Sequence, residues 1–122
     1  MKESEPAVVG SRVVVRDAYQ TQYSDPISFR AGDEIEVRQS DSEYPGWYWC
    51  RGPDDREGWV HESLLSRRDG VAAALEDYSA RELNVGAGER GRVLHVLGGW
   101  LHVETDDGRK GWVPERVTTI AA

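Results

Sequence analysis

Cysteine, histidine and paired aspartates are the residues of this sequence that could support catalysis or hold a metal ion. The 122-residue chain has one cysteine, Cys50, and three histidines that stand singly, without the spacing of metal ligands. A nucleophilic cysteine needs a neighbouring base and a group that orients this base, and no pattern around Cys50 supplies them. The aspartate pairs 54–55 and 106–107 occur in turn-rich stretches, where aspartate is a common turn former. We therefore predict no catalytic residue, no metal site and no cofactor.

Tryptophan and tyrosine are the side chains that could bind a ligand, and the tryptophans follow a repeated pattern. A Gly-Trp pair at 46–47 is followed by Gly-Trp-Val at 58–60, and a Gly-Trp pair at 99–100 is followed at the same interval by Gly-Trp-Val at 111–113. A strand-like run and a turn lie between the two members of each pattern, which predicts a β-hairpin. The second pattern follows the first by 53 residues, so we predict two copies of one small unit.

The hairpins need further strands to complete a fold. Strand-like runs occur at corresponding places in the two copies, at 13–15, 27–29 and 35–38 in the first and at 71–75, 83–85 and 92–96 in the second. The run at 13–15 is β-branched, apolar residues alternate at 27–29 and 35–38, and no run has a helical period, which predicts an all-β fold with about five short strands per copy. The expected organisation is a flexible N-terminus at 1–10, a first domain at 11–66, a short linker at 67–70 and a second domain at 71–122.

Charge and composition restrict the kind of partner. The net charge is −7, with 11 acidic against 6 basic residues between 11 and 65, and 8 against 6 between 71 and 120. An acidic balance in both copies disfavours nucleic acid and anionic membranes as partners. A single cysteine cannot form an intrachain disulfide, and no apolar run approaches the roughly 20 residues of a membrane span. We therefore expect a cytoplasmic protein that binds neither nucleic acid nor a membrane.

Both copies resemble the SH3 domain, a small five-stranded β-barrel that binds proline-rich peptides. The first copy carries the resemblance in the motifs Asp-Ala-Tyr at 17–19, Ile-Ser-Phe at 27–29, Gly-Asp at 32–33, Gly-Trp at 46–47, Gly-Trp-Val at 58–60 and Leu64. The second carries it in Ala-Leu-Glu-Asp-Tyr at 74–78, Glu-Leu at 82–83, Gly-Glu at 88–89, Gly-Trp at 99–100, Gly-Trp-Val-Pro at 111–114 and Val117. The resemblance implies two small SH3-like five-stranded β-barrels in tandem.

The resemblance also implies which residues line a peptide groove. The second copy keeps three of the five groove positions, Tyr78, Trp100 and Pro114, whereas the first keeps Tyr19 and Trp47. The departures from the family pattern are Glu76 and Val117 in the second copy and Asp17, His61 and Leu64 in the first. The acidic residues expected to pair with a ligand arginine are Glu82 in the second copy and Asp25 in the first. The second copy is therefore the better candidate for ligand binding.

These observations predict a non-catalytic adaptor or scaffold module. Its expected ligand is an extended protein or peptide segment, proline-rich or basic, bound mainly by the second domain. A structural or self-association module, whose altered grooves serve domain packing or oligomerisation, is the alternative. We expect a monomer, with a homodimer as the alternative oligomeric state. Small barrels also bind nucleic acids, but the acidic charge and the lack of a basic stripe disfavour that role.

Overall fold

The strands divide between two compact units. The structure, a computed structural model, describes residues 6–68 and 71–121, with only the backbone described for Arg68. In chain order its strands are β1 (Arg12–Val15), β2 (Ser28–Phe29), β3 (Glu34–Ser40), β4 (Trp47–Arg51), β5 (Glu57–His61), β6 (Leu65–Arg68), β7 (Val71–Ala74), β8 (Tyr78–Ser79), β9 (Arg90–Leu97), β10 (Trp100–Thr105), β11 (Lys110–Pro114) and β12 (Thr118–Ile120). One unit joins the chain up to residue 22 with the chain from residue 82 onward, and the other is residues 23–81. We call them the split barrel and the inserted barrel.

The split barrel has a five-stranded antiparallel sheet in the order β11-β10-β9-β1-β12. Alternate residues of its strands point inward, as expected for a sheet with one buried face. The resulting core consists of Ala7, Val13, Val15, Leu83, Val85, Val93, Leu101, Val103 and Val113. A single 3-10 turn, Glu115–Val117, leads into β12.

The inserted barrel has its own five-stranded antiparallel sheet in the order β5-β4-β3-β7-β6, and a short ladder between β2 and β8. Its buried apolar residues are Ile27, Phe29, Ile35, Trp47, Cys50, Val60, Leu64, Ala72, Ala74 and Ala80. A 3-10 turn at Glu62–Leu64 precedes β6, and the His61 ring accepts a hydrogen bond from the Ser63 N–H. The predicted all-β fold with five-stranded sheets is thus confirmed.

The compact units do not follow the sequence repeats. β1 comes from the first copy but pairs with β9 and β12 of the second copy. β7 is the first strand of the second copy, yet it pairs with β3 and β6 of the first. The predicted domains at 11–66 and 71–122 therefore describe the repeats, whereas each compact unit takes strands from both repeats.

β6 and β7 are joined by a short connection. Arg68 lies opposite Val71 in the ladder, so only residues 69 and 70 connect the two strands, and two-residue connections favour an antiparallel hairpin. Those two residues are Asp-Gly in the sequence and lie outside the described residues. The predicted linker at 67–70 therefore overlaps β6, and its remainder falls on residues that the structure does not describe.

Residues 6–10, which belong to the predicted flexible N-terminus, pack onto the split barrel. Ala7 is part of its core, and the Ala7 N–H donates a hydrogen bond to Glu115 Oε2 at 3.0 Å. The Gly10 N–H donates to the Val93 carbonyl at 2.8 Å. Residues 1–5 of the predicted segment lie outside the described residues.

Candidate functional site

Tyr19 and Trp100 form an aromatic pair in the split barrel. Their ring centroids are 6.0 Å apart and their planes meet at 78°, an edge-to-face arrangement that aromatic rings prefer. Tyr19 is fixed by two 2.9 Å backbone hydrogen bonds that it exchanges with Val85. Trp100 opens β10 directly after Gly99, whose φ of +87° is readily available only to glycine. Both rings are half-buried.

Glu82 places a carboxylate beside this pair. The Tyr19 hydroxyl donates a hydrogen bond to Glu82 Oε1 at 2.5 Å. The backbone next to Glu82 is tied to β11, since the Leu83 N–H donates to the Trp112 carbonyl at 2.9 Å. Burial raises the pKa of Glu82, and hydrogen bonds from Tyr19 and Thr21 only partly oppose this rise. We call Tyr19, Glu82 and Trp100 the split-barrel site.

Pro114 lies next to this site, on the strand that neighbours Trp100. It lies directly opposite Trp100 in the β10–β11 ladder, and less than 2% of its surface is exposed. Buried Trp112 lies two residues earlier on β11, with its ring 5.0 Å from the His102 ring and 6.3 Å from that of His95. Because its surface is covered, Pro114 serves as packing under Trp100 rather than as an exposed ligand contact.

Tyr78, which the resemblance groups with Trp100, belongs to the inserted barrel. Its hydroxyl donates to the Trp59 carbonyl at 2.9 Å, and its ring lies 5.5 Å from that of Phe29. β1 and β7 are exchanged between the repeats, since each pairs with strands of the other repeat. Tyr19 follows β1 and Tyr78 follows β7, so each tyrosine lies in the same barrel as the strand that it follows. Tyr19 therefore occupies, beside Trp100, the place that the sequence assigned to Tyr78.

Trp47 and Asp25, the two remaining predicted contacts, lie in the inserted barrel and are engaged within it. Trp47 is only 4% exposed, and its ring meets that of His61 edge-to-face at 5.2 Å. Asp25 pairs with Arg56 at 3.2 Å, and Arg56 also binds Asp54 at 2.7 Å. The structure thus brings together Tyr19, Glu82, Trp100 and Pro114 in the split barrel, and places Tyr78, Trp47 and Asp25 in the other.

An aromatic row on the inserted barrel has no counterpart among the predicted site residues. The rings of Trp49 and Trp59, opposite each other on β4 and β5, are 5.1 Å apart, and Tyr23 lies 5.4 Å from Trp49. The Trp49 indole N–H donates to Glu57 Oε1 at 2.7 Å. Residues two apart in a strand point the same way, so the spacing of Trp49 from Trp47 along β4 already indicated a further aromatic ring on the same side of this strand.

The residues that could do covalent or metal chemistry have other roles. Cys50 is fully buried, and burial raises the pKa of its thiol to about 11, so it carries no thiolate near neutral pH. Among the described residues no group of three or more histidine, cysteine, aspartate or glutamate side chains is placed to hold a metal ion. No helix in that part of the chain is both long and apolar enough to span a membrane.

Comparison with known proteins assigns residues 12–67 to the family described as variant SH3 domain. The chain is 30% identical to SH3 and PX domain-containing protein 2B of Mus musculus, over an alignment of 127 positions that covers 90% of this chain. It is 29% identical to the Homo sapiens protein of that name, again with 90% of this chain covered. In both cases the match spans only 13% of the relative's length.

Proposed function

We propose that the split-barrel site binds an extended peptide that carries a basic residue near prolines, because residues 12–67 match the variant SH3 domain family and SH3 domains are non-catalytic interaction modules that bind peptides. One observation carries this proposal: Tyr19 and Trp100 stand edge-to-face at 6.0 Å, with the Glu82 carboxylate on the Tyr19 hydroxyl. The three side chains come from separate parts of the chain, yet they lie on one face of one barrel.

The geometry suits a polyproline II ligand. Such a helix is extended before it binds and presents proline rings as ridges, which pack against aromatic side chains. Tyr19 and Trp100 supply the two rings, and buried Pro114 holds Trp100 from the neighbouring strand. Glu82 supplies the negative charge for an arginine or lysine of the ligand, and this charge sets the direction in which the peptide lies.

The inserted barrel is the weaker candidate for the same ligand. Its Trp47 is covered, and its Asp25 already has an arginine partner in Arg56. A ligand arginine would have to displace Arg56 from the carboxylates of Asp25 and Asp54. We therefore assign peptide binding to the split barrel and a structural role to the inserted barrel.

Binding measurements on Trp100→Ala test this proposal. The probe is a synthetic peptide with two prolines and one arginine, and its affinity is measured by fluorescence polarisation. Removal of a central aromatic anchor typically costs about 2 kcal/mol or more of binding free energy, which is roughly 30-fold in Kd. We expect this loss with a smaller change in melting temperature than for truncation of the buried Trp47, because Trp100 is only half-buried.

Trp49→Ala is the matched control, since Trp49 is also half-exposed and lies on the corresponding strand of the inserted barrel. It should leave peptide affinity unchanged. Equal affinity of the wild type and Trp100→Ala for the peptide would place the interaction elsewhere on the protein. Light scattering during size exclusion tests the self-association alternative, which requires a mass above that of the monomer.

A further inference from the structure

β1 and β7 occupy equivalent positions in the two barrels but carry side chains of different size. The inward residues of β1 are Val13 and Val15, and the corresponding residues of β7 are Ala72 and Ala74. All four are buried, so the volume of each contributes to the packing of its core. The larger strand belongs to the split barrel and the smaller strand to the inserted barrel.

The neighbouring strands β9 and β3 differ in side-chain size in the opposite direction. In the split barrel Val13 lies directly opposite Gly91 of β9, and in the inserted barrel Ala72 lies directly opposite Ile35 of β3. A Cβ on Gly91 would lie 2.7 Å from the Glu104 carbonyl oxygen, so no larger residue fits there. Valine therefore meets glycine, and alanine meets isoleucine.

The neighbouring core positions continue this compensation. Phe29 of the inserted barrel corresponds to Val85 of the split barrel, and each is buried. On the other edge of the exchanged strands, Ala74 lies opposite Leu65, and Val15 lies opposite the smaller Thr118. At these positions the alanines of β7 lie opposite Ile35 and Leu65, and the valines of β1 lie opposite Gly91 and Thr118. Val13 also lies opposite Ile120 of β12, whose side chain is exposed.

We infer that side-chain size on β1 and β7 selects the exchanged pairing, and thereby decides that Tyr19, and not Tyr78, completes the site beside Trp100. Pairing within each repeat would set Val13 against Ile35 and Ala72 against Gly91. The first contact overpacks one core and the second leaves a void in the other, and both changes destabilise a protein. The consequence for ligand specificity rests on the proposed peptide-binding function, whereas the pairing itself does not.

Disulfide trapping reports which strand pairs with β1, and it needs no ligand. Val14 points away from the core and lies opposite Thr119 in the exchanged ladder, so the double variant Val14→Cys with Thr119→Cys should form an intrachain disulfide. Ser66 occupies the place of Thr119 in the first repeat and lies opposite Ala73. Val14→Cys with Ser66→Cys is therefore the matched control, which forms a disulfide only if each repeat pairs with itself.

The natural Cys50 does not compete in this assay, because it is fully buried and the pKa of its thiol is about 11. Non-reducing peptide mapping of the monomer should show the 14–119 disulfide and at least tenfold less of the 14–66 disulfide. A dominant 14–66 disulfide, or a 14–119 disulfide found only between two chains, would overturn the inference. If the protein forms the 14–119 disulfide but does not bind the peptide, the result would count against the proposed function and not against the exchanged pairing.

Reversal of the size pattern tests its cause. The fourfold variant Val13→Ala, Val15→Ala, Ala72→Val and Ala74→Val should move the disulfide from the 14–119 pair to the 14–66 pair. In that background Tyr78→Phe, and no longer Tyr19→Phe, should weaken peptide binding. A folded fourfold variant that still traps the 14–119 pair would show that size does not select the pairing.

A second variant leaves both cores untouched and covers the case in which the fourfold variant does not fold. Eight glycine and serine residues inserted between positions 69 and 70 relax the short connection without a change in any buried side chain. If size selects the pairing, the 14–119 disulfide should persist in this variant. A shift to the 14–66 disulfide would show that the length of the connection dictates the exchange, which contradicts the inference.

Discussion

The two barrels share one sheet order but differ in how the chain builds them and in what they leave available to a ligand. The inserted barrel is a continuous stretch, residues 23–81, whereas the split barrel needs two distant segments. The inserted barrel carries 13 acidic and 7 basic residues, and the split barrel carries 9 and 8, so nearly all of the net negative charge lies in the former. One repeated fold has thus produced a continuous, acidic unit with a covered tryptophan and a composite, nearly neutral unit with a half-exposed tryptophan.

The largest difference between the two barrels is expected when they are produced as separate fragments. A fragment of residues 23–81 contains every strand of the inserted barrel, so it should fold and unfold cooperatively. A fragment of residues 82–122 lacks β1, the strand between β9 and β12, and should remain unfolded. Circular dichroism with thermal unfolding checks both. Cooperative folding of the second fragment alone would show that β1 is dispensable.

The two equivalent tryptophans should respond oppositely to truncation. Trp47 is buried, so Trp47→Ala should destabilise the protein by about 3–5 kcal/mol, the usual loss for a core aromatic. Trp100→Ala should instead weaken peptide binding and reduce stability less than Trp47→Ala does, since Trp100 is only half-buried. Urea unfolding of both variants provides the measurement. Similar free energies of unfolding for the two would remove the distinction between a covered and an available tryptophan.

The two tyrosines should differ in binding rather than in stability. Tyr19→Phe removes the hydroxyl that holds Glu82, and we expect weaker peptide binding by about 0.5–1.5 kcal/mol, the usual range for one hydrogen bond. Tyr78→Phe removes the hydrogen bond to the Trp59 carbonyl in the inserted barrel and should leave peptide affinity unchanged. Titration calorimetry compares them. An effect of Tyr78→Phe equal to that of Tyr19→Phe would argue against the exchanged site.

A smaller effect is expected from pH. Because burial raises the pKa of Glu82, its carboxylate takes up a proton at higher pH than an ordinary glutamate. Affinity for a basic peptide should therefore fall as the pH is lowered through this raised pKa, and Glu82→Gln should flatten the profile.

Stability should change in the opposite direction over the same pH window. The folded pKa of Glu82 exceeds its unfolded value, so the folded state binds more protons there, and stability rises as the pH falls. Parallel losses of affinity and stability on acidification would indicate general acid unfolding instead.

Much of the fold could be predicted from the sequence, but the pairing of β1 and β7 could not. The doubled Gly-Trp pattern predicted the hairpins β4–β5 and β10–β11, and both are present. The exchange was not predicted, because β1 shows the same alternation whichever barrel it joins and its partners are distant in the chain. The Asp-Gly pair at 69–70, typical of a two-residue hairpin loop, was interpreted as part of a linker although it pointed to the pairing of β6 with β7.

The sequence placed Trp100, Glu82 and Pro114 in one unit, as the structure does, but it did not predict which tyrosine lies beside Trp100. Trp100, Glu82 and Pro114 occur together as the family pattern implies, whereas Tyr19 replaces Tyr78 because the tyrosines follow the exchanged strands. Trp47 and Trp100 begin equivalent strands, and only the packing around each ring distinguishes a covered tryptophan from a half-exposed one. Burial depends on long-range neighbours, which local spacing does not encode.

The ladder between β1 and β12 has a mechanical consequence. These strands run antiparallel, and the Ala121 N–H donates to the Arg12 carbonyl at 2.8 Å, so residues 12 and 121 lie side by side at one end of the ladder. Tension between residues 12 and 121 would open this ladder one hydrogen bond at a time, like a zip, instead of shearing it as a block. Because the inserted barrel begins after residue 22 and ends before residue 82, it would bear no load until the split barrel had opened. Under tension the proposed binding site would be lost first, while the continuous barrel remained folded.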